Sequence, residues 1–410
     1  MGGAGAGSAL VIGAGVVGVA TAYALARRGV AVTLVEAADG PGRGSSFANG
    51  AQLSYGYTDA LASPALLKRL PAILLGADPA FQVSRRLDPA FLRWSLAFLR
   101  NGSEARFRAN TLAGLTLALE SRLAMADLLE RHPLDFAHEG PGKLLLFENQ
   151  GALRRAAALA ELKAAAGAEQ QVVSVGRALA VEPALRSAAG RLAGAIWAPR
   201  EEVGDPHLFC VGLTRVLEQS YGVSLRFGKA VRALVTGARP GAILEDGERL
   251  EADELVLCTG ADARALLRPL GLEVPVMPVR GHSLTLPAGP EPPRVSITDT
   301  ARKLVFCLLS GAIRLAGQAD VGFSGRQVQQ RRIEALLQAA RESLPHAADY
   351  ARPLSAWAGL RPVTPTSLPL IEQRAGLTLN LGHGALGWTY AMGAAERAAR
   401  LVSGSRTIME

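Results

Sequence analysis

At 410 residues the chain is long for a single hydrophobic core, and two domains are expected. Hydrophobic residues make up 49% and charged residues 20%, a balance that suits a folded α/β enzyme and excludes a disordered chain. The net charge of +8 comes from scattered arginines, with no basic block interleaved with aromatics; this argues against a nucleic-acid partner and leaves room for weak attraction to anionic lipid or an acidic protein.

Residues 1–7 form a Gly/Ala tail without basic residues, and no window holds about 18 uninterrupted apolar residues, so neither a signal peptide nor a membrane span is expected. An apolar strand, Leu10 to Ile12, then runs into Gly13, Gly15 and Gly18, a helix over Val16–Arg28, and a second strand from Val30 to Val35 ending on Glu36. This is the strand–Gly-x-Gly-x-x-Gly–helix–strand–acid unit of dinucleotide binding. Gly13 permits the tight turn, Gly15 the close approach of a pyrophosphate, and Gly18 the contact of helix with strand. Val16 and Val17 open the helix, whose free N–H groups and dipole favour phosphate. Glu36 is placed to accept hydrogen bonds from a ribose.

Residues 37–57 are rich in Gly, Ser and Asn and read as a loop, lying either against the cofactor or simply on the surface. Prolines at 64, 71, 79 and 89 divide the following stretch into helices. Residues 89–100 set Phe91, Trp94, Leu96 and Phe98 among arginines; this helix either faces the core with a solvated basic edge or lies on a membrane or partner. A long helix is expected over 111–130, a strand over Lys143–Phe147, a helix over Gly151–Ala166, and a strand at Ala195–Trp197. Asp205-Pro206 supplies an N-cap and first-turn proline for a helix through Ser220. Strands Val223–Phe227 and Val231–Val235 suggest a return to the nucleotide-binding sheet. Glu254–Gly260 is an apolar strand that ends either against an adenosine or in an ordinary tight turn.

From Val274 to Leu286 the pattern alternates around two prolines, as in an edge strand of a second, mostly antiparallel sheet. Leu304–Leu309 and Ala312–Leu315 form a hairpin around Ser310-Gly311, and Arg326–Leu344 an amphipathic helix. Residues 356–372 are proline-locked and carry Arg361. Residues 380–404 give a short strand, a glycine turn and a helix near Trp388, a second anion-seeking helix start. The cysteines at 210, 258 and 307 match neither a disulfide framework nor a zinc spacing, and the histidines show no metal-binding pattern. A reducing cytoplasm is the expected setting, with no metal.

The motifs NGAQLSYGY (49–57), LCTGADA, PVRGHSL, GLRPVTP and GHGALGWTYAMG (382–393) together make the chain resemble the FAD-dependent D-amino acid dehydrogenases of bacteria, small subunit type. These belong to the wider group of D-amino acid oxidase, glycine oxidase and sarcosine oxidase. The resemblance covers almost the whole length. It implies a Rossmann-like FAD-binding domain built from residues 1–60, 196–275 and 352–410, and a substrate domain with an antiparallel sheet from 61–195 and 276–351. In such an arrangement Gly13, Gly15, Gly18 and Glu36 hold the ADP half. Ser45, Ser46, Asn49, Gly50, Gln52 and Leu53 line the pyrophosphate and ring. Val231 and Gly260 touch the adenosine side, and Gly384, Gly387, Trp388 and Thr389 bring the last helix to the flavin. Arg361 grips the substrate carboxylate, or else serves as a structural ion-pair partner. Tyr55 and Tyr57 stand at the substrate site and His383 beside the ring. Thr366, Ser367, Glu372 and His282 depart from the family pattern, and Lys143 begins a strand that faces the substrate pocket.

The implied reaction is oxidative deamination of a D-amino acid, with D-proline and hydroxy-D-proline as candidates. Hydride passes from Cα to flavin N5, without a dedicated base, and the imino acid is hydrolysed. Electrons go on to a quinone or respiratory chain, and the 89–100 helix is the candidate for contact with the inner face of the cytoplasmic membrane. The alternatives are an oxygen-using glycine or sarcosine-type oxidase, a nicotinamide dehydrogenase, and the FAD-carrying subunit of a hetero-oligomer.

Overall fold

The computed structural model describes residues 7–86, 88–237 and 239–407. Two large sheets organise them. The first has six strands in the order Leu370–Arg374, Leu377–Leu381, Glu254–Leu257, Ser8–Ile12, Ala31–Val35, Ser224–Arg226. All neighbours are parallel except the first pair, a hairpin. The central strands are apolar along their length because both faces of the parallel sheet are covered, one by helices and the other, through Leu10, Ile12, Leu255 and Leu257, by Leu234, Leu244 and Leu267 of a small sheet and a short helix. Helix Val16–Ala26 packs on one face, against helices Gly387–Thr407 and Pro206–Tyr221.

The second sheet has nine strands. Its path runs Ser355–Val363, Met277–Pro287, Ala312–Val321, Leu304–Leu309, Ser296–Asp299, Lys143–Phe147, Gly194–Ala198, Gln171–Val173, with Phe81–Val83 added beside Ala312–Val321. Met277–Pro287, expected at an edge, is interior. Its prolines are tolerated because Pro278 stands opposite Pro362, needing no amide hydrogen there, while its carbonyl still accepts from Gly322 N at 3.0 Å. Ser355–Val363, expected with the nucleotide-binding segments, hydrogen-bonds into this sheet instead, whereas the chain from 370 onward joins the first. Ser224–Arg226 returns to the nucleotide sheet, but Val231–Val235 opens a separate three-stranded meander.

Local chemistry accounts for the element ends. Asp205 caps Pro206–Tyr221 by accepting from His207 N and Leu208 N, and Gly222 ends it in the left-handed region at φ 65°. Ser310 (φ 47°) and Gly311 (φ 81°) give the doubly left-handed two-residue turn that matches strand twist. In helix Pro89–Asn101 the residues Phe91, Trp94 and Phe98 are buried, while Leu92, Leu96 and Leu99 face out. Among the described residues all three cysteines are buried and free, and no helix is long and apolar enough to cross a membrane.

Helix Gly387–Thr407 crosses the long helix Glu104–Arg131 at Gly393, where an added Cβ would lie 2.8 Å from both Leu117 O and Ser121 N. Backbone cannot give way as a side chain can. Gly393→Ala is therefore expected to cost about 1–3 kcal/mol, read as a lower denaturant midpoint; an unchanged midpoint would show that the crossing has slack.

Candidate active site

A cavity of about 810 Å³ runs between the two sheets, from the first glycine turn to Lys143 and Tyr57. At one end Gly13 adopts φ +99°, and a Cβ there would lie 2.8 Å from Cys258 O. A Cβ on Gly18 would come within 1.7 Å of Gly13 O, so only glycine lets the helix seat this close to the strand. Gly15, Val16 and Val17 line the cavity at the helix start, where Ser46 Oγ accepts from Val16 N at 3.1 Å. Glu36 is held by Ala14 N (2.7 Å) and Ala38 N (2.9 Å), one on each carboxylate oxygen, which leaves acceptor capacity on both. Val231 and Gly260 line the same end, as does Thr259, whose buried hydroxyl has no hydrogen-bond partner among the described residues.

The middle of the cavity is walled by the loop that the Gly/Ser/Asn composition marks. Ser45, Ser46, Asn49, Gly50 and Gln52 all line it. The loop is fixed at nearly every polar group. Ser45 Oγ donates to Leu360 O at 2.5 Å, Asn49 Oδ1 accepts from Ala51 N, and Arg314 donates to Asn49 O. Gly50 O accepts from Cys307 Sγ, and Lys143 Nζ donates to Gln52 Oε1 (2.8 Å) and Ser54 Oγ (2.7 Å). Opposite, Gly384, Gly387 and Trp388 bring in the start of the last helix.

Arg361 closes the far part. Its guanidinium lies across Gly281, where a Cβ would sit 2.2 Å from two of its nitrogens, and Nη1 donates to Gln318 O at 2.7 Å. It joins no ion pair among the described residues, so the rival reading, a structural ion-pair partner, finds no carboxylate. Tyr57 lines this end between two ammonium groups, 4.5 Å from Lys143 and 5.9 Å from Lys163. Lys163 is paired with Asp59 at 2.8 Å. Burial drives Lys143 toward its neutral form and raises the nearby Glu201, and each charge offsets the other's shift. His383 and His282 also line the cavity. Burial holds both imidazoles neutral, lowering His383 to about 3 and His282 to about 4.

Four expected residues do not line the cavity: Gly18, Leu53, Tyr55 and Thr389. Gly18 spaces helix from strand, and Thr389 Oγ1 accepts from Ser54 N and so sets the loop from behind. Leu53 is buried in the core with Tyr55. Tyr55 corrects the sequence reading. The chain bends at Tyr55-Gly56, where Glu201 takes the Gly56 amide, so the two tyrosines do not share a face; Tyr55 turns away and donates to Glu202. Conversely, Asp59, Lys303, Gln318 and Trp357 line the cavity without having been singled out. They come from separate segments with no local motif, and only Lys143, a cation opening an apolar strand, carried a visible signal.

The fold and site define a dinucleotide-binding oxidoreductase with its substrate end roofed by a second sheet. The chain belongs to the FAD dependent oxidoreductase family, which it matches over residues 8–401. It is 40% identical over 407 residues to D-amino acid dehydrogenase 2 of Ralstonia nicotianae, covering 96% of each chain. It is 40% identical over 390 residues to D-amino acid dehydrogenase 2 of Pseudomonas aeruginosa, covering 93% of this chain and 92% of that one. Among solved structures, L-proline dehydrogenase from P. horikoshii (TM-score 0.76, 18% identity) and glycine oxidase from Geobacillus kaustophilus (TM-score 0.76, 22% identity) share the fold, each covering 97% of this chain and 94% of that one. The enzyme is FAD-dependent, and the glycine cradle, the Glu36 carboxylate and the length of the cavity fit that cofactor.

The neutral histidines give a pH test. Unfolded imidazoles titrate near 6.5, so below that pH the unfolded chain binds protons that the folded chain refuses. Stability is expected to fall as pH drops from about 6.5 toward 4, and His383→Asn should flatten that fall in denaturant midpoints measured across the range. Equal slopes in both proteins would contradict a buried neutral His383.

Proposed function

We propose that the protein is a D-amino acid dehydrogenase that passes electrons onward to a quinone or respiratory acceptor. The observation that carries the reading is Arg361, a guanidinium without a carboxylate partner among the described residues, laid flat over Gly281 at the cavity wall. Its unused N–H donors suit two-pronged capture of an α-carboxylate, and its bond to Gln318 O fixes its plane. The relatives named D-amino acid dehydrogenase support the substrate class.

Gly13, Gly15 and Glu36 would hold the ADP half of FAD, with the 45–52 loop and the start of the last helix around the rest. FAD supplies the two-electron acceptor. The residues of this chain bind the carboxylate, keep neutral imidazoles in the ring's surroundings, and orient the Cα–H. No carboxylate or imidazole is required as a base, because the substrate's amine can lose its proton to water before binding. D-proline and hydroxy-D-proline remain candidate substrates within this class. Exposed Leu74, Leu75, Leu92, Leu96 and Leu99, with the exposed basic residues Lys68, Arg85, Arg93 and Arg100 on the same pair of helices and the connection between them, support peripheral contact with an anionic membrane.

Steady-state oxidation of paired D- and L-amino acids with a soluble quinone, alongside a peroxide assay, tests the reading. D-specific quinone reduction with little peroxide is expected, whereas peroxide at the same rate would point to the glycine-oxidase-like alternative. Arg361→Met should lower kcat/KM by about a hundredfold or more while bound flavin absorbance is retained. A loss smaller than about threefold would remove Arg361 from carboxylate binding.

A further inference from the structure

The substrate end of the cavity carries more positive charge than an α-carboxylate requires. Arg361, Lys143 and Lys303 line it, and the lining carboxylate there, Asp59, already pairs with Lys163 at 2.8 Å. Lys143 is held by Gln52 and Ser54. Lys303 has neither an ion pair nor a side-chain hydrogen bond among the described residues. It ends the turn between Ser296–Asp299 and Leu304–Leu309, and Asp299 fastens that turn by accepting from Ala301 N and Arg302 N at 3.0 Å.

Backbone strain marks the same spot. Lys303 has φ 58° and Gln318 φ 66°, both left-handed and neither glycine. The ladder pairs Leu304 with Gly317, so one step further Lys303 stands opposite Gln318, the residue whose carbonyl holds Arg361. A Cβ on Gly317 would lie 2.9 Å from Lys303 O, so a glycine makes room for the kink. Two adjacent strained residues on one cavity wall are the kind of feature that persists where a site needs it. Arg361 stands on Ser355–Val363, three strands from Leu304–Leu309, but its guanidinium crosses Gly281 and reaches Gln318 O on the strand next to Leu304–Leu309, so both cations come to this part of the cavity wall.

We propose that Lys303 reads a second acidic group on the substrate, so that the enzyme favours D-amino acids with a side-chain carboxylate over those with short apolar side chains. The inference rests on the D-amino acid reading above. Arg361 takes the α-carboxylate, and Lys303 takes the distal carboxylate as a charge-assisted hydrogen bond. The cation on Lys143 adds attraction without direct contact. Partial desolvation lowers the Lys303 pKa from the ordinary lysine value, and an anionic partner would raise it again.

Binding of two unreactive acids to the holoenzyme, followed by calorimetry, isolates this step. Glutarate carries both carboxylates and butyrate only one. Glutarate is expected to bind about 10- to 100-fold tighter than butyrate. In Lys303→Gln and in Lys303→Gly, which suits the left-handed backbone and so guards against misfolding, that ratio should collapse toward one. Lys303→Arg should restore most of it. Equal affinities for the two acids in the native enzyme, or a ratio that survives in both variants, would overturn the proposal. Turnover of paired D- and L-amino acids, acidic and apolar, is measured in parallel; no D-selective turnover of any of them would count against the D-amino acid reading alone, because the ratio of acid affinities does not depend on it.

Discussion

The architecture depends on a loop that must be rigid without being regular. Residues 45–54 cross between the two sheets with only a two-residue strand, Gln52–Leu53, to pair them. Irregular backbone in an interior has to find hydrogen-bond partners one at a time. Here they come from both sides: Leu360 O, Arg314 and Cys307 from the nine-stranded sheet, Ser46 toward the first helix, and Thr389 from the last helix. The loop thereby fixes the gap between the sheets. That gap is the cavity, and a change of loop position would alter the cofactor wall and the substrate wall together.

Electrostatics divide the cavity along its length. One end offers helix-start amides and glycine backbone, suited to phosphates, with the Glu36 carboxylate fixed in place by two amides. The other end gathers Arg361, Lys143 and Lys303. Between them stand imidazoles that burial keeps uncharged. A neutral middle matters because fixed charge beside a redox ring would bias its reduced state, whereas charge at the far end selects the substrate. A buried ion network joins Arg280 and Arg332 to Asp320, two residues from the Gln318 carbonyl that holds Arg361.

Much of this was legible in the sequence because it is local. The Gly13–Glu36 unit, the Asp205 cap and the Ser310-Gly311 turn are short patterns in which residue type dictates backbone geometry. Arg361 stood out as a lone cation in an apolar, proline-locked run. The errors have a common origin in distance along the chain. Tyr55 and Tyr57 look equivalent until a bend fixed by Glu201, 145 residues away, turns one of them into the core. Met277–Pro287 looked like an edge because Pro362, the partner of Pro278, could not be aligned with it from sequence. Lys303 and Gln318 carry no motif, since their meaning comes from a ladder register and a strained backbone.

The central claim is that two sheets enclose one flavin with an amino acid held by Arg361 at its reactive side. The visible spectrum of the purified protein under anaerobic titration with D-amino acids tests it most directly. The account predicts a bound oxidised flavin, about one per chain, bleached by D- but not L-isomers. A protein that is colourless and takes up no added FAD, or a flavin that no amino acid reduces, would contradict it.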